Sequence, residues 1–286
     1  MFKKYIIPSV LLSFSNTALA DSQQIFLNNG SYDIPAIFSI PDKKSDQQTM
    51  AAVIMLHGTG TQKDEVGNLY KLLSQKLEAL GIASIRIDFA GSGDSKTSDL
   101  EYSLSSAVLD GKTAFNYLQA NPQIDKTRIG VVGFSQGALI SQLLVIEEPK
   151  IKSLAVWSPA TGNGIEPMKA FFEQYYDEAK QNGYALIKYD WRPSFKVSLK
   201  WFEQLKAQQS LTLMKQFTGS LLAISGTNDT VLPWENANTL ITASGSKDAT
   251  AIIVKDGDHI FNVFDPTAHQ SKDLLEITAN WLDSRL

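Results

Sequence analysis

The stretch "GVVGFSQGAL", residues 130–139, sets Ser135 between Gly133 and Gly137 directly after an apolar run. The run "RIGVVGF" reads as a buried strand, and "QGALISQLLVIEE" as the helix that follows it. A serine between two glycines at such a junction has two explanations. One is a tight strand-to-helix turn that happens to contain a serine. The other is a G-x-S-x-G corner, in which the turn exposes a nucleophilic hydroxyl above a sheet and aims the helix N-terminus at the reacting centre. Glycines suit the flanks because the sharp turn brings the chain close to its neighbours, where side chains would clash. The remainder of the chain decides between the two.

Working outward, "AAVIMLHG" (51–58) is a nearly continuous apolar run, as expected of a strand buried on both faces. "NLYKLLSQKLEALG" (68–81) places Leu69, Leu72, Leu73, Leu77 and Leu80 at helical spacing, and "IASIRIDF" returns to strand. The same alternation continues through the helix before Pro122, the strands "IKSLAVWSP", "GSLLAISG" and "TAIIVKDG", and a C-terminal helix. Two short strands, "QIFLN" and "IPAIFSI", precede it all. Such alternation predicts an α/β fold with a mainly parallel central sheet and helices on both faces. One interval breaks the rhythm: residues 161–210 hold ten aromatics and no obvious strand. It is too aromatic for disorder and too long for a connection, so residues 160–217 read as an inserted helical cap within a domain spanning 21–286.

Composition bounds the function. The chain has 286 residues, 43% apolar, which is ample for a large core, and no cysteine, which removes thiol catalysis and thiolate metal sites. Residues 1–20, "MFKKYIIPSVLLSFSNTALA", run from lysines through an apolar stretch to Ala18-Leu19-Ala20, the order of a signal peptide cleaved after Ala20. A periplasmic or secreted protein is therefore expected. Its apolar part is too short and too broken by Pro8 and serines to make a good membrane span. Without it, 24 basic side chains face 30 acidic ones, a balance that points to neither nucleic acid nor anionic membrane as a partner.

A serine hydroxyl needs a base within hydrogen-bond reach. Only three histidines are available. His269 lies in the polar stretch "DPTAHQSKD", and His57 in "HGTG" suits the shaping of a loop. His259, in "KDGDHIF", follows the last strand and opens at the same sheet edge as Ser135. Its imidazole needs an orienting carboxylate, and Asp229 in "AISGTNDTVLP" stands just beyond a strand, one helix and one strand earlier. Singly, Asp229 reads as a turn or capping residue and His259 as a loop histidine. Together with Ser135 they follow three strands in the chain order Ser, Asp, His, which favours catalysis. The developing oxyanion needs two donors, each worth roughly 3 kcal/mol. The backbone N–H of Gln136 supplies one, and that of Thr59, in the turn after strand 51–56, the other.

Other motifs carry less. "HGTG" is no phosphate loop, since Lys63 stands where a third glycine belongs, and "DFAGSGDS" (88–95) has no serine flanked on both sides by glycine two residues away, so it reads as a loop shaping the sheet edge. No H-e-x-x-H or other metal-ligand spacing occurs, so no metal is expected.

With "HGTG", "GIASIRIDFAGSGDS", "GFSQG", "SGTNDTVLP" and "GDHIF" in this order, the chain resembles the α/β-hydrolases over nearly its whole length after residue 20. "GIASIRIDFAGSGDS" is similar to the cinnamoyl/feruloyl-esterase-like and serine aminopeptidase-like branches, whose lid follows the strand matching "LAVWSP". The chain departs from the family at Thr59, where a bulkier residue is frequent. The resemblance implies acyl transfer from a small-molecule ester, of short-chain or aryl/cinnamoyl type, to water, without a cofactor. An aminopeptidase, with a cap carboxylate such as Glu166, Glu173, Asp177, Glu178, Asp190 or Glu203 holding the free amine, uses the same three residues. So does a thioesterase. A binding protein on this fold without catalysis is a further alternative, as fold alone does not fix function.

Overall fold

A computed structural model describes residues 21–42 and 49–286. The signal peptide expected over residues 1–20 lies outside them. The sheet strands are β1 (Asp21–Asn28), β2 (Asp33–Ile40), β3 (Met50–Leu56), β4 (Ala83–Ile87), β5 (Ile124–Phe134) and β6 (Ser153–Trp157). After two further strands, β7 (Tyr184–Tyr189) and β8 (Arg192–Ser198), which stand apart, β9 (Ser220–Gly226) and β10 (Ala249–Val254) complete it. Their order is β1-β2-β4-β3-β5-β6-β9-β10. β1, β2 and β4 pair antiparallel, and from β4 onward every pairing is parallel.

Helices α1 (Leu69–Ala79), α2 (Leu104–Ala120) and α3 (Gln136–Glu147) join the central strands. The insertion contributes α4 (Lys169–Asn182), α5 (Leu199–Ala207) and α6 (Ser210–Leu213), and α7 (Asn236–Ala243) and α8 (Gln270–Asp283) close the chain. β3 is buried at every position because it is covered twice. Ala52, Ile54 and Leu56 pack with Phe115 of α2 and Leu139 of α3; Ala51, Val53 and Met55 pack with Leu73 and Leu77 of α1 and Leu274 and Leu282 of α8. Each Val, Leu, Ile, Met or Phe side chain among these contributes roughly 1.5–3 kcal/mol. α3 is buried on nearly every face, which explains why "QGALISQLLVIEE" carries little of a polar stripe.

The insertion differs from the all-helical cap expected of residues 160–217. α4, α5 and α6 are helical, but β7 and β8 form an antiparallel hairpin. Two features hid it. The connection Asp190-Trp191 lacks the Asn-Gly or Gly signal of tight hairpins, and Pro193 argues against a strand. The pairing is supported by alternation: Ala185 and Ile187 of β7, with Val197 of β8, point into the core. Most cap aromatics pack on one another. Phe171, Phe172, Tyr176, Trp201 and Phe202 form ring contacts with centroids 4.3 to 6.0 Å apart.

The glycines beside Ser135 answer to different contacts. A Cβ on Gly137 would lie 2.0 Å from the Leu56 carbonyl oxygen and 2.6 Å from that of His57. A Cβ on Gly133 would lie 2.3 Å from Ser141 Oγ and 2.5 Å from the Gly137 carbonyl oxygen. Gly137 thus lets α3 press against the end of β3, and Gly133 lets β5 press against the first turn of α3. In both cases the obstacle includes backbone, which cannot rotate away. Gly137→Ala is expected to lower stability by about 3 kcal/mol or to yield no folded protein. Urea denaturation measures it, and a midpoint equal to wild type would contradict the close approach.

Candidate active site

Ser135 sits between β5 and α3 with φ 54° and ψ −118°, a conformation that L-residues rarely adopt. Three hydrogen bonds hold it there. Its N–H donates to the Trp157 carbonyl at 2.9 Å, and its own carbonyl accepts from Ala138 N at 3.0 Å and Ala160 N at 3.2 Å. The strain is therefore imposed by β6 and the start of the insertion.

The parallel strands β5, β9 and β10 end at one edge of the sheet, and their loops bring together residues far apart in sequence. His259 Nε2 lies 3.1 Å from Ser135 Oγ, and His259 Nδ1 lies 2.8 Å from Asp229 Oδ2. The Asp229 side chain is 1% exposed and that of His259 16%. Burial alone would raise the Asp229 carboxyl. The bond to His259 and the N–H groups of Leu232 and Val231, at 2.9 and 2.8 Å on Oδ1, overcome it and hold the carboxyl below its ordinary value. The loop of His259 is fixed by Ser158, whose Oγ donates to the His259 carbonyl at 2.9 Å. The Phe134 ring packs 5.1 Å from the imidazole.

The other two histidines lie where the sequence suggested. The His269 side chain is 74% exposed. His57 is buried, its Nδ1 bonded to the Gly58 carbonyl at 2.8 Å and its Nε2 accepting from Phe89 N at 3.2 Å. That pairing fixes a neutral tautomer, and burial lowers its pKa. The loop from His57 onward is pinned from within. Lys63 Nζ donates to Asp88 and Asp94, both at 2.7 Å, while the Lys63 and Asp94 N–H groups donate to Asp88 at 2.7 and 2.9 Å. "DFAGSGDS" shapes the sheet edge through this anchor.

Sequence reasoning did not find Glu65 or Ser158. Glu65 is buried, with Oε2 accepting from Gly58 N at 2.7 Å and Oε1 from Val66 N at 2.9 Å. It braces the turn carrying Thr59. Its signal lies in no motif, only in the pairing of a carboxylate with a backbone N–H seven residues away.

Thr59 and Gln136 come together: Thr59 Oγ1 donates to Gln136 Oε1 at 2.8 Å, and Tyr102 OH donates to the same oxygen at 2.9 Å. Among the described residues no acceptor takes the backbone N–H of either Thr59 or Gln136. Beside them opens a narrow cleft walled by the Thr59 turn, Tyr102, Gln136 and the cap residues Arg192, Phe195 and Trp201. None of the six cap carboxylates named above lines it. Glu178 instead accepts from Leu186 N at 3.0 Å, and Glu203 pairs with Tyr176 and Lys206.

A family model described as Serine aminopeptidase, S33 matches residues 47–265. The chain belongs to this family of α/β-hydrolases. The uncharacterized protein YcjY of Escherichia coli (strain K12) is 26% identical over 143 residues, which are 46% of this chain and 42% of that protein. Among solved structures, Est1E from Butyrivibrio proteoclasticus with ferulic acid bound aligns with TM-score 0.73 and 16% identity, covering 91% of this chain and 98% of that one. DcsB, in complex with its substrate analogue, aligns with TM-score 0.74 and 15% identity over 93% of this chain and 100% of that one. Mouse alpha/beta hydrolase domain-containing protein 10 gives TM-score 0.67 and 17% identity over 92% and 99%. At such identities the likeness establishes the fold.

Burial pushes the Glu65 carboxyl from 4.5 up to about 7, against the pull of its two N–H donors. Between those values the unfolded chain ionises at Glu65 while the folded one keeps its proton. The group's contribution is therefore full below about pH 4.5 and lost as pH rises through about 7, on the order of 3 kcal/mol in all. Glu65→Gln removes the titration. The stability advantage of wild type over this variant, from urea denaturation, is expected to shrink from about pH 5 to about pH 8; a constant difference would contradict the raised pKa.

Proposed function

We propose that this protein hydrolyses carboxylic esters, of short-chain or aryl type, through an acyl-enzyme on Ser135. The observation that carries this reading is His259, whose two ring nitrogens reach Ser135 Oγ at 3.1 Å and Asp229 Oδ2 at 2.8 Å. His259 Nε2 takes the hydroxyl proton as Ser135 Oγ attacks the ester carbonyl, and Asp229 stabilises the imidazolium through Nδ1–H. The imidazolium then gives that proton to the leaving alkoxide, which departs as the alcohol. Water, deprotonated by the same nitrogen, attacks the acyl-enzyme, and the returning proton frees Ser135 with release of the acid.

The negative charge on the tetrahedral oxygen falls to the N–H groups of Thr59 and Gln136, which no acceptor among the described residues occupies. The second of these opens α3, whose dipole adds to the attraction. An ester is favoured over a peptide with a free amine because the cleft beside the turn is walled by Arg192 rather than by the cap's acids. The signal peptide expected over residues 1–20 supports placing this chemistry in the periplasm or the exterior.

Steady-state hydrolysis of p-nitrophenyl acetate and butyrate, methyl ferulate and an aminoacyl-p-nitroanilide tests the reading. Ser135→Ala is expected to lower kcat/KM on the preferred ester by about 10⁴-fold or more, and Asp229→Asn by roughly 10³- to 10⁴-fold. Ester turnover unchanged in Ser135→Ala would sink the mechanism. Preference for the anilide would transfer the same three residues to an aminopeptidase.

A further inference from the structure

Two side chains that line the cleft beside the Thr59 turn carry donors with no acceptor among the described residues. Gln136 and Trp201 are each 1% exposed, and among the described residues Gln136 Nε2 and Trp201 Nε1 have no acceptor. The Gln136 amide is oriented by two hydroxyls, from Thr59 and Tyr102, both donating to its Oε1, which leaves its NH₂ end unpaired. Buried donors without acceptors are few in native proteins, and two around one cleft mark a place for an acceptor-bearing ligand.

A cation stands with them. Arg192, at the start of β8, is half-buried and rests on the oxyanion turn, so that a Cβ on Gly60 would meet its Nη1 at 3.0 Å. Its Nε donates to the Pro193 carbonyl at 3.1 Å and its guanidinium packs 4.3 Å from the Phe195 ring centroid. Among the described residues its two Nη groups have no hydrogen-bond acceptor and it forms no ion pair. The acid on the cleft wall, Asp99, gives its Oδ2 to the Lys196 N–H at 2.6 Å, and Lys196 adds a second positive charge 4.6 Å from the Tyr184 ring. His57 is neutral, so the wall is net positive.

We propose that this cleft is a subsite for a carboxylate at the far end of the acyl chain, which makes monoesters of dicarboxylic acids the substrate class; this rests on the ester-hydrolase reading above. The scissile carbonyl lies at the Thr59 and Gln136 N–H groups, and the side chain of Gln136 leads from that corner into the cleft. The chain between the two carboxyl groups runs along the rings of Phe195 and Trp201, which keep water from it. A carboxylate presents two oxygens in one plane, matching the guanidinium fork and accepting the orphaned N–H groups as well. A neutral chain of equal length leaves the cation and both donors unsatisfied.

Binding of monomethyl adipate and methyl hexanoate to Ser135→Ala, measured by isothermal titration calorimetry, tests this without turnover. The two esters share a chain length and differ in the terminal carboxylate. The monoester is expected to bind at least about 10-fold tighter. Adding Arg192→Gln is expected to collapse that ratio towards one, Arg192→Lys to restore part of it, and Trp201→Phe, which removes one N–H, to reduce it several-fold. Equal binding, no detectable binding, or a preference that survives Arg192→Gln overturns the proposal. If Arg192→Gln binds neither ester, recovery in Arg192→Lys supports it and continued loss overturns it. Failure here leaves the hydrolysis of other esters standing, whereas a wild type that turned over no ester would fail the earlier reading and this one with it.

Discussion

The rest of the site depends on how closely the first turn of α3 crosses the end of β3. With Gly137 seated against the Leu56 and His57 carbonyls, the chain has no room for an ordinary strand-to-helix connection. It turns through one residue, and that residue, Ser135, takes a positive φ that the neighbouring strand pins through Trp157. The same crossing brings the Gln136 N–H beside the turn that carries Thr59. The corner at Ser135 and the two N–H groups beside it are thus consequences of one backbone contact rather than separate placements.

Around this contact the protein holds its loops with buried carboxyl groups instead of apolar packing. Asp88 is fully buried and accepts from the Lys63 side chain and from two backbone N–H groups; Glu65 accepts from Gly58 and Val66. Buried ion pairs such as Lys63–Asp88 add little net stability, because desolvation offsets much of the Coulombic gain. Their geometry is demanding, however, and removing one partner strands the other. What they secure is the shape of the turn between β3 and α1, which a loop of glycines and threonines would not hold by itself.

The strands and helices of the sheet were legible because burial on two faces writes long apolar runs, and those runs alternate with helical spacing. Ser135, Asp229 and His259 were legible for a related reason: each follows a strand whose end is visible in the sequence, and parallel strands deliver their following loops to one edge. The hairpin of the cap was not legible. It lies in a two-stranded unit whose strands are half-exposed, so its pattern is weak, and its turn carries no glycine. Glu65 and Ser158 were hidden because each acts by side-chain hydrogen bonds to backbone groups, contacts with no periodicity and no residue-type signature.

The sequence by itself determined the α/β architecture, the corner at Ser135 and the order of its partners, since these rest on local propensity and on the two-sided burial of strands. Only the tertiary structure decided what surrounds the corner: that Glu65 braces the turn carrying Thr59, that the cap's acids lie away from the cleft, and that Arg192 stands over it. Those facts depend on where an insertion of mixed helix and hairpin comes to rest on the sheet edge. That position is fixed by many small contacts between segments about a hundred residues apart, such as Asp99 with the Lys196 backbone and Tyr102 with Ser198. No local pattern encodes them, because each side of such a contact is ordinary until the other arrives.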